Sequence, residues 1–233
     1  MKKNIGISIL LVMLLFLVSA CSQQAVKSNQ NITNNQIQNA NRGSAQQNTN
    51  VAAPANMAAP VNTLSVPRDF IAPISGALVR ITKKPFGLYV TQKNSPVQPE
   101  KFSGYHTGVD FETTVAEADA DVRITAACTG KVRVRQWVSG YGGVLIQDCM
   151  INGQSVTVLY GHLNVNVITA SIGDILAQGD FIGNLGQGFS PETDGERKHL
   201  HLGIHAGTSI NYKGYVSSQD QLIGWQDAEK YLI

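Results

Sequence analysis

The chain has 233 residues, a formal net charge of +2 and only 15% charged residues. Without clustered Lys/Arg faces it lacks what a phosphate backbone demands, so no nucleic-acid partner is expected. Aromatic residues and turn-punctuated apolar runs concentrate after residue 66, which predicts one folded domain over 66–233 behind a leader and a spacer.

Residues 1–20 open with Lys2 and Lys3, run apolar over 5–18 and close on Ser19 and Ala20 before Cys21. The run is shorter than the roughly 20 apolar residues that span a bilayer, and small residues sit where cleavage occurs, so it reads as a secretory leader. Val18-Ser19-Ala20-Cys21 resembles the bacterial lipobox, which implies that Cys21 becomes the acylated N-terminus and a membrane anchor. Buried acyl chains contribute about 0.8 kcal/mol per methylene, and stable anchoring takes more than one chain. Ser22 is not the Asp that retains lipoproteins at an inner membrane. The expected location is the outer membrane of a diderm cell, or the outer face of the cytoplasmic membrane of a monoderm one. Residues 21–65 are dominated by Gln, Asn, Ala and Ser with no apolar periodicity, the composition of a disordered tether. A coil of about 45 residues reaches roughly 35 to 40 Å on average.

Beyond Pro67, short apolar runs broken by Gly, Asn and Asp predict strands over 77–82, 88–91, 107–112, 122–126, 131–138, 143–148, 155–161 and 199–206. Asn152-Gly153 marks a hairpin. Gly173, Gly179, Gly183, Gly186 and Gly188 punctuate a further segment of tight turns, and 227–232 suggests a terminal helical turn. The expected fold is mostly β: a compact antiparallel sheet, partly closed in the manner of a barrel. With Cys21 assigned to lipid, Cys128 and Cys149 form an even pair in an oxidising compartment. A disulfide closing about 21 residues, worth roughly 3 kcal/mol, and two buried thiols both fit.

Four of the five histidines fall in three contexts: Gly104-Tyr105-His106-Thr107-Gly108-Val109-Asp110, Tyr160-Gly161-His162-Leu163 and His199-Leu200-His201-Leu202. A strand's period of two turns His199 and His201 to one face and Leu200, Leu202 and Ile204 to the other. Four residues of straight strand separate Cα atoms by roughly 13 Å, whereas neighbouring zinc ligand atoms lie about 3.3 Å apart. The chain must therefore bend between His106 and Asp110, and Gly108 is the expected place. His205 shares the parity of His201 and is expected to be exposed, with a supporting role open.

These contexts, with Lys84-Pro85-Phe86-Gly87, Thr129-Gly130-Lys131-Val132 and the run from Gly173-Asp174 to Gly186, resemble the lysostaphin- and LytM-like zinc metallopeptidases, peptidase family M23. The resemblance implies one Zn²⁺ held by His106, Asp110 and His201, with His162 and His199 as catalytic partners beside its open position. It further implies hydrolysis of peptide cross-links in bacterial peptidoglycan by a monomeric, membrane-anchored endopeptidase.

Other readings set limits. A LytM-type regulator that activates other wall hydrolases would tolerate missing ligands, and none is missing. A non-haem iron oxygenase shares two His and one carboxylate but leaves His162 and His199 without a task. A zinc carboxypeptidase of another family has a longer first spacing. The polar segment 189–198 either lines the cleft or faces solvent.

Overall fold

The computed structural model describes residues 68–232. The leader (1–20), Cys21 and the spacer (21–65) lie outside the described residues.

The short apolar runs form antiparallel strands: β1 (Tyr89–Val90), β2 (Gly104–His106), β3 (Gly108–Glu112), β4 (Arg123–Thr125), β5 (Gly130–Val138), β6 (Gly142–Ile151), β7 (Gln154–Leu163), β8 (Ile175–Leu176), β9 (Phe181–Asn184), β10 (His199–Ala206), β11 (Tyr215–Val216) and β12 (Trp225–Gln226). The main sheet runs β12-β10-β7-β6-β5-β8, and β3 pairs with β10 on the edge opposite β7. A smaller sheet, β1-β2-β11, carries the first histidine context, and β4 pairs with β9.

Alternation sorts the side chains. Val109, Phe111, Val156, Val158, Tyr160, Leu200, Leu202 and Ile204 enter one core. Val134, Tyr141, Val144, Ile146 and Leu159 form a second cluster on the other face of the sheet. Burying such a side chain fully contributes about 1.5–3 kcal/mol, so β10 is held mainly by its leucine face. At the β6–β7 turn Asn152 (φ 51°) and Gly153 (φ 74°) are both left-handed, and Ile151 pairs with Gln154, the hairpin that Asn-Gly predicts. Cys128, in the loop before β5, is bridged to Cys149 on β6 with Cα atoms 6.0 Å apart. A short 3₁₀ turn, Ala228–Tyr231, stands where a terminal helical turn was expected.

The expected strand over 77–82 is instead a single helical turn, α1 (Ala77–Arg80). Gly76 enters it at φ 65°, and the Arg80 guanidinium donates to Ser75 O, Glu112 O and the Glu117 carboxylate. Those local ties favour a turn, and a four-residue apolar run cannot by itself distinguish the two states.

Candidate metal centre

Strand β10 supplies two histidines by plain alternation. His199 is registered against Glu112 of β3 and His201 against Asp110, so Asp110 and His201 are direct cross-strand neighbours on one face. On its other side His201 is registered against Gly161 of β7.

His106 reaches the same place from the other sheet. It ends β2, and the chain turns at Thr107 before β3 begins. Thr107 is fully buried and pinned: its N–H donates to Gly214 O (3.0 Å) and its hydroxyl to Lys213 O (2.6 Å). The bend expected at Gly108 is thus made by Thr107. Gly108 has no left-handed φ, and its role is clearance, since a Cβ there would stand 2.6 Å from His201 Nε2.

His162 arrives through an irregularity. The β6–β7 register passes from Leu145↔Tyr160 to Gly143↔Leu163, so Gly161 and His162 together oppose Val144 in a β-bulge. His162 adopts φ 62°, a left-handed conformation uncommon for a residue with a side chain. The extra residue returns Leu163 to the core while His162 lines the cleft with His199 and His201.

Three potential ligand atoms converge. His106 Nε2 lies 3.1 Å from His201 Nδ1 and 3.2 Å from Asp110 Oδ1, and His201 Nδ1 lies 3.1 Å from the same oxygen. Ligand atoms on a tetrahedral ion with bonds near 2.0 Å stand about 3.3 Å apart, so the triangle has the size of one face of a zinc site. The donor set agrees. His106 Nδ1 donates to Pro85 O (3.2 Å), which can only accept, so the lone pair of Nε2 faces the triangle. All three residues are buried, and they form a metal-sized group. A divalent cation is what three converging lone pairs fit.

Charge is distributed to match. Burial opposes ionisation of Asp110, but the imidazoles of His106 and His199 outweigh it and hold the carboxyl well below its usual range. Burial pushes the His162 imidazole well below its ordinary value and His201 down to about 4, so both are neutral near pH 7. The other Asp110 oxygen, Oδ2, accepts from Arg197 Nη2 (2.8 Å) and lies 3.3 Å from His199 Nε2. His199 Nδ1 donates to Arg197 O (2.8 Å), which leaves Nε2 as the basic atom of that ring. The His162 and His199 rings lie 4.2 Å apart, and His162 Nδ1 has no partner among the described residues.

These groups line a cleft of about 340 Å³ with Lys84, Tyr141, Glu196, Arg197 and Tyr215. Lys84 Nζ donates to Glu100 (2.6 Å) and to the Tyr215 hydroxyl (2.9 Å), and the Tyr215 ring packs 5.2 Å from His106. The polar segment 189–198 divides. Phe189 is exposed, but Glu196, Arg197 and Lys198 are buried, and Arg197 also binds Glu112 through Nε at 3.0 Å. A wholly solvated loop is thereby excluded. Arg197 was legible in principle, because the alternation of His199 and His201, extended back two residues, places it on the same face. Tyr141 carried no such signal. His205, expected to be exposed, is half-buried against Trp225, away from the cleft, with rings 4.8 Å apart.

Among solved structures, the catalytic domain of the antimicrobial peptidase lysostaphin from Staphylococcus simulans is 20% identical, covers 66% of this chain and 96% of its own, and superposes with a TM-score of 0.43. LytU is 24% identical, with 72% and 90% covered and a TM-score of 0.43. A zinc containing peptidase from Vibrio cholerae is 22% identical, with 59% and 36% covered and a TM-score of 0.37. No curated protein matches the chain. The sequence model of peptidase family M23 matches residues 104–212, which contain His106, Asp110, His162, His199 and His201, so the part of the chain that carries the site is similar to that family.

Proposed function

We propose that this chain is a zinc metalloendopeptidase that hydrolyses peptide cross-links of bacterial peptidoglycan. The observation that carries the reading is the triangle of His106 Nε2, Asp110 Oδ1 and His201 Nδ1, with edges of 3.1, 3.1 and 3.2 Å, beside two further imidazoles in one cleft. Zinc held by these three residues would supply a Lewis acid that polarises the scissile carbonyl and acidifies water. His199 Nε2 takes a proton, and the Asp110 carboxylate 3.3 Å away stabilises the imidazolium so formed. His162, kept neutral by burial, orients the reacting oxygen by hydrogen bonding. Arg197 holds Asp110 Oδ2 so that Oδ1 stays turned to the triangle.

The substrate follows from chemistry and address. A leader over 1–20, a lipidated Cys21 and a tether over 21–65 would hold the 66–233 domain at the outer membrane or on the outer face of the cytoplasmic membrane. The peptide polymer within reach there is the wall. All five site residues come from one chain, which suits a monomer.

The full chain loaded with zinc, given muropeptides of defined cross-link, should release cleaved stem peptides and stop when a chelator removes the metal. Bound zinc without cleavage of any cross-link would reject the peptidase reading in favour of a regulator of other wall hydrolases.

A further inference from the structure

Two carboxylates line the cleft. Asp110 faces the ligand triangle, and Glu196 has no part in it. Glu196 stands on the segment that leads into β10, and its backbone is fixed at three points. Its N–H donates to Thr193 O (3.0 Å), and its carbonyl accepts from Phe189 N–H (2.7 Å) and from the Thr193 hydroxyl (2.8 Å). Asp194 (φ 51°) and Gly195 (φ 75°), both left-handed, turn the chain just before it. The residue is 7% exposed, yet among the described residues nothing hydrogen-bonds to its Oε1. Buried polar atoms are ordinarily satisfied, so this oxygen lacks a donor it should have.

The neighbouring charges show what that donor is. Arg197 is committed to Asp110 and Glu112, and Lys84 to Glu100. Lys101 remains. Its Nζ stands 3.1 Å from Glu196 Oε1, close enough for an ion pair, but its hydrogen bond goes to Asp194 O (3.1 Å). The Lys101 side chain is half exposed, whereas that of Glu196 is buried. The carboxylate is thus the fixed member of the pair and Lys101 the movable one, a compact ammonium on a flexible four-carbon stem. A pair with one partner so exposed holds weakly. Lys101 therefore displays the kind of cation that fits, a primary ammonium, and can yield to another.

We propose that Glu196 is a specificity-determining residue: its carboxylate takes the free side-chain ammonium of a diamino residue in the substrate stem, and Lys101 holds that place until the substrate arrives. This assignment rests on the peptidase reading and names its substrate class. In a dimer cross-linked through a diamino residue, the stem that supplies the D-Ala keeps the amine of its own diamino residue free, one residue from the bond that joins the stems. A bridge of glycines carries no charge in that position. A site left with an unpaired buried group rejects the wrong ligand strongly, but here Lys101 returns when the ammonium is missing, so discrimination of about 10-fold is expected.

The test uses the zinc-loaded full chain and a muropeptide dimer cross-linked through a diamino residue, with its free amine either intact or acetylated. Acetylation should raise KM about 10-fold and leave kcat nearly unchanged, the mark of lost ground-state binding. In Glu196→Gln the ratio between the two forms should collapse towards 1. Lys101→Ala removes the competing ammonium, so KM for the free-amine dimer should fall about 2–5-fold, the worth of a weak exposed pair, whereas a merely structural lysine would raise it. Should Glu196→Gln not fold, the acetylation ratio and Lys101→Ala decide the matter. Equal KM for the two forms in the wild-type chain, discrimination that survives Glu196→Gln, or a higher KM in Lys101→Ala overturns the assignment. Should the wild-type chain cleave nothing, the peptidase reading fails on its own, and calorimetric binding of the two uncut dimers still decides Glu196: tighter binding of the free-amine form supports it, and equal binding or none overturns it.

Discussion

Strand β10 and the Gly161–His162 bulge deliver histidines to the same cleft by opposite means. On β10 the backbone is regular, and the alternation that buries Leu200, Leu202 and Ile204 turns His199 and His201 to the site. On β7 alternation alone would have sent His162 into the core beside Tyr160, and an inserted residue with φ 62° redirects it. One region gains function as a by-product of core packing. The other holds function against a local backbone preference, with surrounding packing keeping it there.

The largest expected difference between the two regions is in what each histidine holds. His201→Ala removes a corner of the ligand triangle. Since losing a supporting partner of a ligand already costs 10–100-fold in metal affinity, losing the ligand itself should cost at least about 100-fold, and hydrolysis with it. His162→Ala leaves the triangle whole, so zinc stays bound while turnover falls by about 10²–10⁴-fold, the usual worth of a proton-handling group. Metal content by atomic absorption beside muropeptide turnover separates the two. A His162→Ala chain that loses its zinc would mean the bulge belongs to the metal site.

The same contrast explains what could be read from sequence. His199-Leu200-His201 declares its geometry in three letters, and Asp110 shares the parity of its strand. A bend between His106 and Asp110 was required by distance alone, but its agent was not legible, because Thr107 acts through Gly214 O and Lys213 O, more than 100 residues away along the chain. The His162 bulge depends on how β6 pairs with β7, a register that no local pattern states. Segment 189–198 has a solvated composition, yet Arg197 and Lys198 are buried because Glu112, Asp110 and the carbonyls of Ala118 and Ala120 receive them. Local rules gave the mostly β class and the straight strands, and long-range partners made the exceptions.

Acid should act on both regions alike, because burial is what they share. In the metal-free protein burial depresses His201 to about 4 and His162 well below its ordinary 6.5. Between those values and 6.5 the unfolded chain binds more protons than the folded one. Stability is therefore complete above about pH 6.5 and declines as pH falls towards 4, by an amount of order 3 kcal/mol for His201 alone. Urea midpoints between pH 8 and 4, with a chelator present, should show this slope. His201→Asn and His162→Asn should each flatten part of it. A slope untouched by either substitution would place the acid sensitivity elsewhere.

The smallest expected effect is the sharpest, because its sign differs between the two regions. At position 162 the left-handed backbone penalises any residue with a Cβ, by roughly 1–2 kcal/mol relative to the right-handed region, and glycine escapes that penalty. His162→Gly should therefore be more stable than His162→Ala by about 1 kcal/mol, although both lose turnover. At position 199 the strand is regular, so glycine brings only its greater unfolded-state entropy, and His199→Gly should be less stable than His199→Ala by about 0.5–1 kcal/mol. Urea unfolding of the four metal-free variants measures both differences, and comparing Gly with Ala at one site cancels the loss of the imidazole. If glycine is the worse residue at both positions, the bulge stores no backbone strain, and the contrast between the two strands reduces to register alone.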